Sequence, residues 1–148
     1  MQLNVSTDYA IRSLLYLATC GRQASSSEIS REMSIPSNYL YAVMGKLKKA
    51  GLASASRGVN GGWSLSKEPE DITLLDIIEV MEGSVKINRC LYEDSYCPRD
   101  ATETCQIHAY YHDLQTQLEN CLGAVTIAQI RDQSWKPISE IILDEKAV

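Results

Sequence analysis

Cys90, Cys97 and Cys105 are spaced C-x6-C-x7-C, and His108 follows the last of them by three residues. Three thiols and an imidazole gathered into residues 90–108 are soft and borderline donors of the kind that bind an iron–sulfur cluster, zinc or copper(I). Cys105 and His108 stand three apart where a helix begins, so their side chains face one direction. The spacing is neither a CxxC zinc pattern nor a ferredoxin pattern. An iron–sulfur cluster, a structural zinc ion and a thiol switch without metal therefore all stay open on these residues alone. The chain holds five cysteines, an odd number, which argues against a disulfide framework. Cys20 closes a predicted helix and Cys121 lies on a predicted helical seam, so both read as small buried hydrophobes.

The elements that would carry this cluster follow from apolar spacing. From Ser6, the set Ile11, Leu14, Leu15 and Ala18 predicts a helix, and Gly21 supplies its stop. Ser25 and Glu28 have capping-box spacing at the start of a second helix. A tight break at 34–36 precedes a third, whose inner face is Leu40, Val43, Met44 and Leu47. Residues 52–56 and 63–65 read as two short strands around a turn bracketed by Gly58, Gly61 and Gly62. Thr73 caps a fourth helix carrying Leu74, Ile77, Ile78 and Met81. Residues 84–104 show little periodicity and read as a loop ordered by something other than a core. The longest helix starts near Cys105, and Ile107, Tyr111, Leu114, Leu118 and Cys121 form a narrow seam. That seam suits one partner helix, most simply its own symmetry mate; docking on its own domain is the competing reading. Thr126 starts a short final helix, and the tail from Ser134 reads as peripheral.

Helix, tight turn, helix and glycine-turned hairpin form the order of a winged helix-turn-helix. The third helix presents Asn38, Tyr41 and Ala42 outward near its start, where a recognition helix meets base edges. Lys46, Lys48 and Lys49 can reach phosphates, Arg57 can enter a narrow minor groove, and Asn60 lies at the hairpin tip. The net charge of −5 conceals a division: residues 1–67 sum to +5 and residues 68–148 to −10. Such a split fits a basic nucleic-acid face joined to an acidic body. A helical bundle with an incidental basic surface is the plain alternative, and the hairpin weighs against it. No nucleophile–base set or phosphate loop appears, so the chain does not read as an enzyme.

The segments DYAIRSLLYLA, EIS, IPSNYL, LKKAGL and RGVNGGWSLSK, followed by ITLLDIIEVMEG, resemble the IscR/NsrR/CymR family of bacterial winged-helix regulators. The resemblance runs from residue 1 to about residue 131. It implies a homodimer on double-stranded DNA with a palindromic operator, recognition helices in major grooves and wings in minor grooves. Asn38, Tyr41 and Ala42 match the family's base-reading helix, with Tyr41 and Ala42 standing where the IscR branch carries Glu-Gln. Arg57 matches the wing arginine. CQIHAYYHDLQTQLENCL is similar to the IscR branch, which implies a [2Fe–2S] cluster on Cys90, Cys97, Cys105 and His108. In the NsrR branch a [4Fe–4S] cluster is completed by an aspartate of the other subunit, and Asp8 matches that position. An acidic residue in a helix's first turn also needs no function beyond the helix dipole.

These readings amount to a mainly α fold with a small β-hairpin wing: a winged helix-turn-helix over 1–83, a cofactor-binding loop at 84–104, a dimerisation helix and short final helix over 105–133, and a peripheral tail at 134–148. The expected activity is that of a cytoplasmic DNA-binding transcription regulator, read as a repressor with activation as the open alternative, that senses iron–sulfur, redox or nitric oxide status through its cluster. Regulation through a protein partner or thiol oxidation, with zinc or no metal, is the alternative. No membrane segment is expected, because the apolar runs are short.

Overall fold

The computed structural model describes residues 2–94 and 96–146, with side chains in the final helix as far as Ile142. Among these residues the order is α1 (Val5–Cys20), α2 (Ser26–Glu32), α3 (Ser37–Lys49), β1 (Ala53–Ser56), β2 (Gly62–Leu65), α4 (Leu74–Glu82), α5 (Gln106–Gly123), α6 (Ile127–Asp132) and α7 (Ile138–Lys146). Single 3-10 turns occupy Pro69–Asp71 and Arg89–Leu91. The fold is the mainly helical one with a single antiparallel hairpin that the sequence predicts.

The core gathers around α1, which packs on α3, α4 and α6. Leu14 of α1 is fully buried, with Leu40, Met44 and Leu47 of α3, Ile77 of α4 and Ile127 of α6. Each such side chain contributes roughly 1.5–3 kcal/mol of transfer free energy before chain entropy is set against it. The burial of Leu40, Val43, Met44 and Leu47 on one side of α3 leaves its other side to solvent. That division positions the candidate reading residues.

α1 begins at Val5, and Asn4 makes no side-chain cap for it. The missing cap comes from the far end of the head. Glu82, last residue of α4, accepts from the Asn4 backbone N–H at 2.8 Å and from the Asn4 amide and the Thr7 hydroxyl. Its carboxyl is held below the usual range, chiefly by the Thr7 hydroxyl and the Asn4 N–H. An anion at the N-terminus of α1 is also favoured by the helix dipole.

Thr73 and Thr126 each form a full capping box, with Asp76 and Gln129 respectively. The two caps lie side by side: Leu74 N–H donates to Val125 O and Ile127 N–H to Ile72 O, both at 2.9 Å. This pairing fixes α6 beside α4, so Ile127 reaches the core from beyond the long helix.

The predicted seam on α5 divides into two parts. Its C-terminal half docks on the chain's own α4, where Leu118 and Leu122 share a small apolar cleft with Ile78 and Val85. In its N-terminal half Ile107 and Leu114 are exposed and Tyr111 is partly buried, with Tyr110 exposed beside them. The tail, read from the sequence as peripheral, contains α7, which packs on α5 and buries Ile141. Residues 147 and 148 of that tail lie outside the described residues.

Candidate functional site

Two surfaces carry the residues singled out by sequence. The first is the exposed side of α3 together with the hairpin. Asn38, Tyr41, Ala42, Lys46 and Lys49 are all exposed, and Tyr41 projects with 61% of its surface free. A buried aromatic would add to the core; an exposed one beside polar groups on a basic helix is available to a partner. The turn before α3 holds Ser34 in a left-handed conformation, φ 51°. Arg12 of α1 donates to the Met33 carbonyl in that turn while pairing with Asp8 at 2.6 Å and lying over the Tyr9 ring.

The hairpin pairs Ala53 with Leu65 and Ser56 with Gly62. Ala24 extends it, because Trp63 N–H donates to Ala24 O at 2.8 Å and Ala24 N–H returns to Trp63 O at 3.0 Å. The contact explains one glycine directly: a Cβ on Gly62 would stand 2.5 Å from Ala24 O. Gly61 is confined in the same way, 2.6 Å from Ser56 O. The Trp63 indole donates to Ser26 Oγ at 2.9 Å, which seats the wing on α2. Gln23, which sequence reasoning missed, donates its amide to Ser56 Oγ and to the Asn60 carbonyl at 3.1 Å. Arg57, Val59 and Asn60 thus stand exposed at the turn of a hairpin braced next to that turn, with the Asn60 carbonyl itself held by Gln23.

The second surface is the loop of residues 84–104 and the start of α5. Cys90, Cys97, Cys105 and His108 line a single cavity of about 420 Å³, each side chain partly buried. Cys105 occupies the N-cap of α5 and His108 lies in its first turn. His108 Nε2 lies 3.2 Å from the Cys90 carbonyl oxygen. A carbonyl only accepts, so Nε2 is the donor, and in the neutral ring Nδ1 then keeps a lone pair. Histidines that ligate metals are commonly held this way, by the N–H of their other nitrogen. The Cys97 thiol is held below its ordinary range by the backbone N–H groups of Ala101 and Arg99, with a smaller contribution from the Arg99 charge. Arg89 and Arg99 both line the cavity. Among the described residues no three His, Cys, Asp or Glu groups are drawn close enough to ligate one metal ion. The donors share a cavity without yet converging in it.

Asp8 is placed elsewhere. It is exposed in the first turn of α1, engaged by Arg12, and does not line the cysteine cavity of its own chain. His112 is exposed one turn beyond His108. Cys20 and Cys121 are partly buried, and the Cys20 thiol donates to backbone carbonyls at the end of α1.

Sequence reasoning also missed Gln115. Only 4% of it is exposed. Its Oε1 accepts from Ile87 N–H at 2.9 Å, and its Nε2 donates to Val85 O at 3.2 Å and to Glu119 at 2.8 Å. Lys86 pairs with the same Glu119 at 2.7 Å. One polar side chain therefore fixes the segment that leaves α4 onto the helix whose start carries Cys105 and His108.

The pattern of the Rrf2 family, described as iron-dependent transcriptional regulators, matches residues 3–133. The chain belongs to the Rrf2 family. Members are transcription regulators, not enzymes, and the chain shares that class. A protein of Aquifex aeolicus (strain VF5) described as an HTH-type transcriptional regulator is 34% identical over 123 residues, covering 82% of this chain and 85% of the relative. Protein aau3 of Rhizobium meliloti (strain 1021) is 33% identical over 111 residues, covering 74% and 71%. Among solved structures, CymR, the global cysteine regulator of B. subtilis, superposes with a TM-score of 0.72 at 24% identity, over 90% of this chain and 98% of CymR. T. potens IscR gives 0.70 at 24% identity, over 90% and 88%. These likenesses establish the winged-helix fold for this Rrf2 protein and bear out the resemblance to the IscR/NsrR/CymR regulators. No helix among its described residues is long and apolar enough to cross a membrane.

Proposed function

We propose that this Rrf2 protein is a cytoplasmic, homodimeric transcription regulator whose affinity for a palindromic operator is set by an iron–sulfur cluster. The observation that carries the reading is the meeting of Cys90, Cys97, Cys105 and His108 on one cavity, with the His108 ring held by a carbonyl so that one nitrogen is left for a metal. The donor set fits a cluster. Three cysteine sulfurs and His108 Nδ1 would hold [2Fe–2S], and [4Fe–4S] with Asp8 of a second subunit is the competing arrangement. The cluster would supply a redox-active, nitric-oxide-reactive centre. The residues around it bind it, shield it with the loop, and link it through Gln115 to the head.

The reading surface is Asn38, Tyr41 and Ala42 for base edges, Lys46 and Lys49 for phosphates, and Arg57 with Asn60 for the minor groove. Exposed Ile107, Tyr110 and Leu114 on α5 supply the face for a second copy of the chain. A switch between states then requires only that the two cofactor states hold the two heads at different spacings, since DNA responds to a difference in fit.

A second reading rests on the lowered Cys97 thiol among three cysteines on one cavity: regulation by thiol oxidation, or the same donors holding a structural zinc ion. Anaerobic purification separates the two. A visible absorbance band with two irons and two sulfides per chain supports the cluster. Colourless protein bearing one zinc per chain, or only a reversible disulfide, supports the second reading.

A further inference from the structure

Between Cys90 and Cys97 the chain builds a cage and fills it with its own side chain. Arg89 donates through both terminal guanidinium nitrogens to both carboxylate oxygens of Asp94. Its guanidinium carbon also lies 5.1 Å from the Tyr92 ring centroid and 5.7 Å from that of Tyr96. Two aromatic faces and a carboxylate are the chemistry that recognises a planar cation, and a fork-shaped guanidinium satisfies all three at once. The placement is specific. Arg89 immediately precedes Cys90 and Tyr96 immediately precedes Cys97, so the cage draws the two ends of the span together on the cavity wall. Arg89 itself lines that cavity.

We infer that Arg89 is a positioning residue for the cofactor site, holding Cys90 and Cys97 at the cavity before any metal arrives; this rests on the cofactor reading above. Closing the span beforehand removes ordering that the metal would otherwise have to impose, and any group that fixes ligands in this way strengthens metal retention. The guanidinium is the necessary element, because an ammonium offers neither the paired bonds to Asp94 nor the flat face for two rings.

The full-length chain tests this with two readouts. In metal-free protein, hydrogen exchange of the backbone at 90–97 reports the cage directly. Arg89→Gln and Asp94→Asn should each speed it, and the double variant should add little to either single change. In protein reconstituted with ferrous iron and sulfide, Arg89→Gln should lose its visible band to a chelator about tenfold faster, the lower end of the range for residues that support metal ligands. The visible circular dichroism of the bound cluster should shift as well, and Arg89→Lys should restore neither property. Unchanged exchange in Arg89→Gln would show that there is no cage. Faster exchange with unchanged chelator loss would overturn the positioning role. A wild-type chain that takes up no iron removes the cofactor reading instead, while the exchange data still decide whether the cage exists.

Discussion

Replacing Gln115 with Leu should destabilise the chain and loosen the link between the cysteine loop and the DNA-facing head. Leu keeps nearly the same volume in a position that is 4% exposed, so packing is largely retained and polarity is the variable. The change leaves Ile87 N–H and Val85 O without the partners they now have at 2.9 and 3.2 Å. Val85 is itself buried, so water is poorly placed to replace the amide there. Buried backbone groups left unpaired cost about 1–3 kcal/mol each. Ile87 is only half-buried and belongs at the lower end, which gives a loss of about 2–4 kcal/mol in total. For a chain of this size each kcal/mol lowers Tm by roughly 2–4 °C. Urea unfolding followed by circular dichroism, at one fixed protein concentration, should therefore show a lower midpoint at unchanged slope. Gln115→Glu keeps the acceptor for Ile87 but sets a buried carboxylate against Val85 O and the Glu119 carboxylate, and should destabilise at neutral pH at least as much as Leu. A loss below about 0.5 kcal/mol for Gln115→Leu, the scale of an ordinary surface change, would refute the claim that this side chain fixes the connector.

Other changes probe the reading head and the site. Gly62→Ala should displace the wing, because its Cβ would stand 2.5 Å from Ala24 O, and DNA affinity in a gel-shift assay should fall more than Tm does. Arg57→Ala should weaken binding to a selected operator by about 1–3 kcal/mol, whereas Lys49→Ala should weaken specific and random duplexes alike. Glu28 has its carboxyl lowered from 4.5 to about 2, chiefly by Arg22 and then by Tyr16. Its contribution to stability is complete above 4.5 and disappears as the pH falls through about 2, so Glu28→Gln should be less stable at pH 7 with the gap closing in that window. His108→Ala should change or abolish the visible spectrum while Asp8→Ala leaves it nearly intact, and the reverse pattern would move the fourth ligand to Asp8.

The head was legible because its helices obey a single rule. Leu40, Val43, Met44 and Leu47 bury one side of α3 as their spacing requires, and Thr73 and Thr126 cap where their side chains can reach the third residue on. The glycines of the wing were readable as a turn, but the reason for Gly62 lies in Ala24, distant in sequence, and in Gln23 beside it. Glu82 and Gln115 escaped notice for the same reason: a lone carboxylate or amide in a helix says nothing of the backbone it will meet. Helix α7 did leave a sign, since Ile138, Ile141 and Ile142 stand at helical spacing after Pro137, yet Ile141 is buried only because α5 is there to receive it. The cysteine spacing announced a site without giving its occupant. Arg89, Tyr92, Asp94 and Tyr96 looked like unrelated polar loop residues until folding brought them around one guanidinium.

If the cofactor state sets DNA affinity, cluster-loaded and emptied protein must bind one duplex differently. A duplex selected from random sequence by the chain itself is titrated anaerobically, at fixed salt, with cluster-loaded protein and with the same preparation after the cluster is removed. Fluorescence anisotropy should give two dissociation constants at least about fivefold apart, the lower bound for a working allosteric coupling. The difference should vanish in Cys97→Ala. Equal affinities for the loaded and emptied wild-type protein would mean that the cofactor does not control DNA binding.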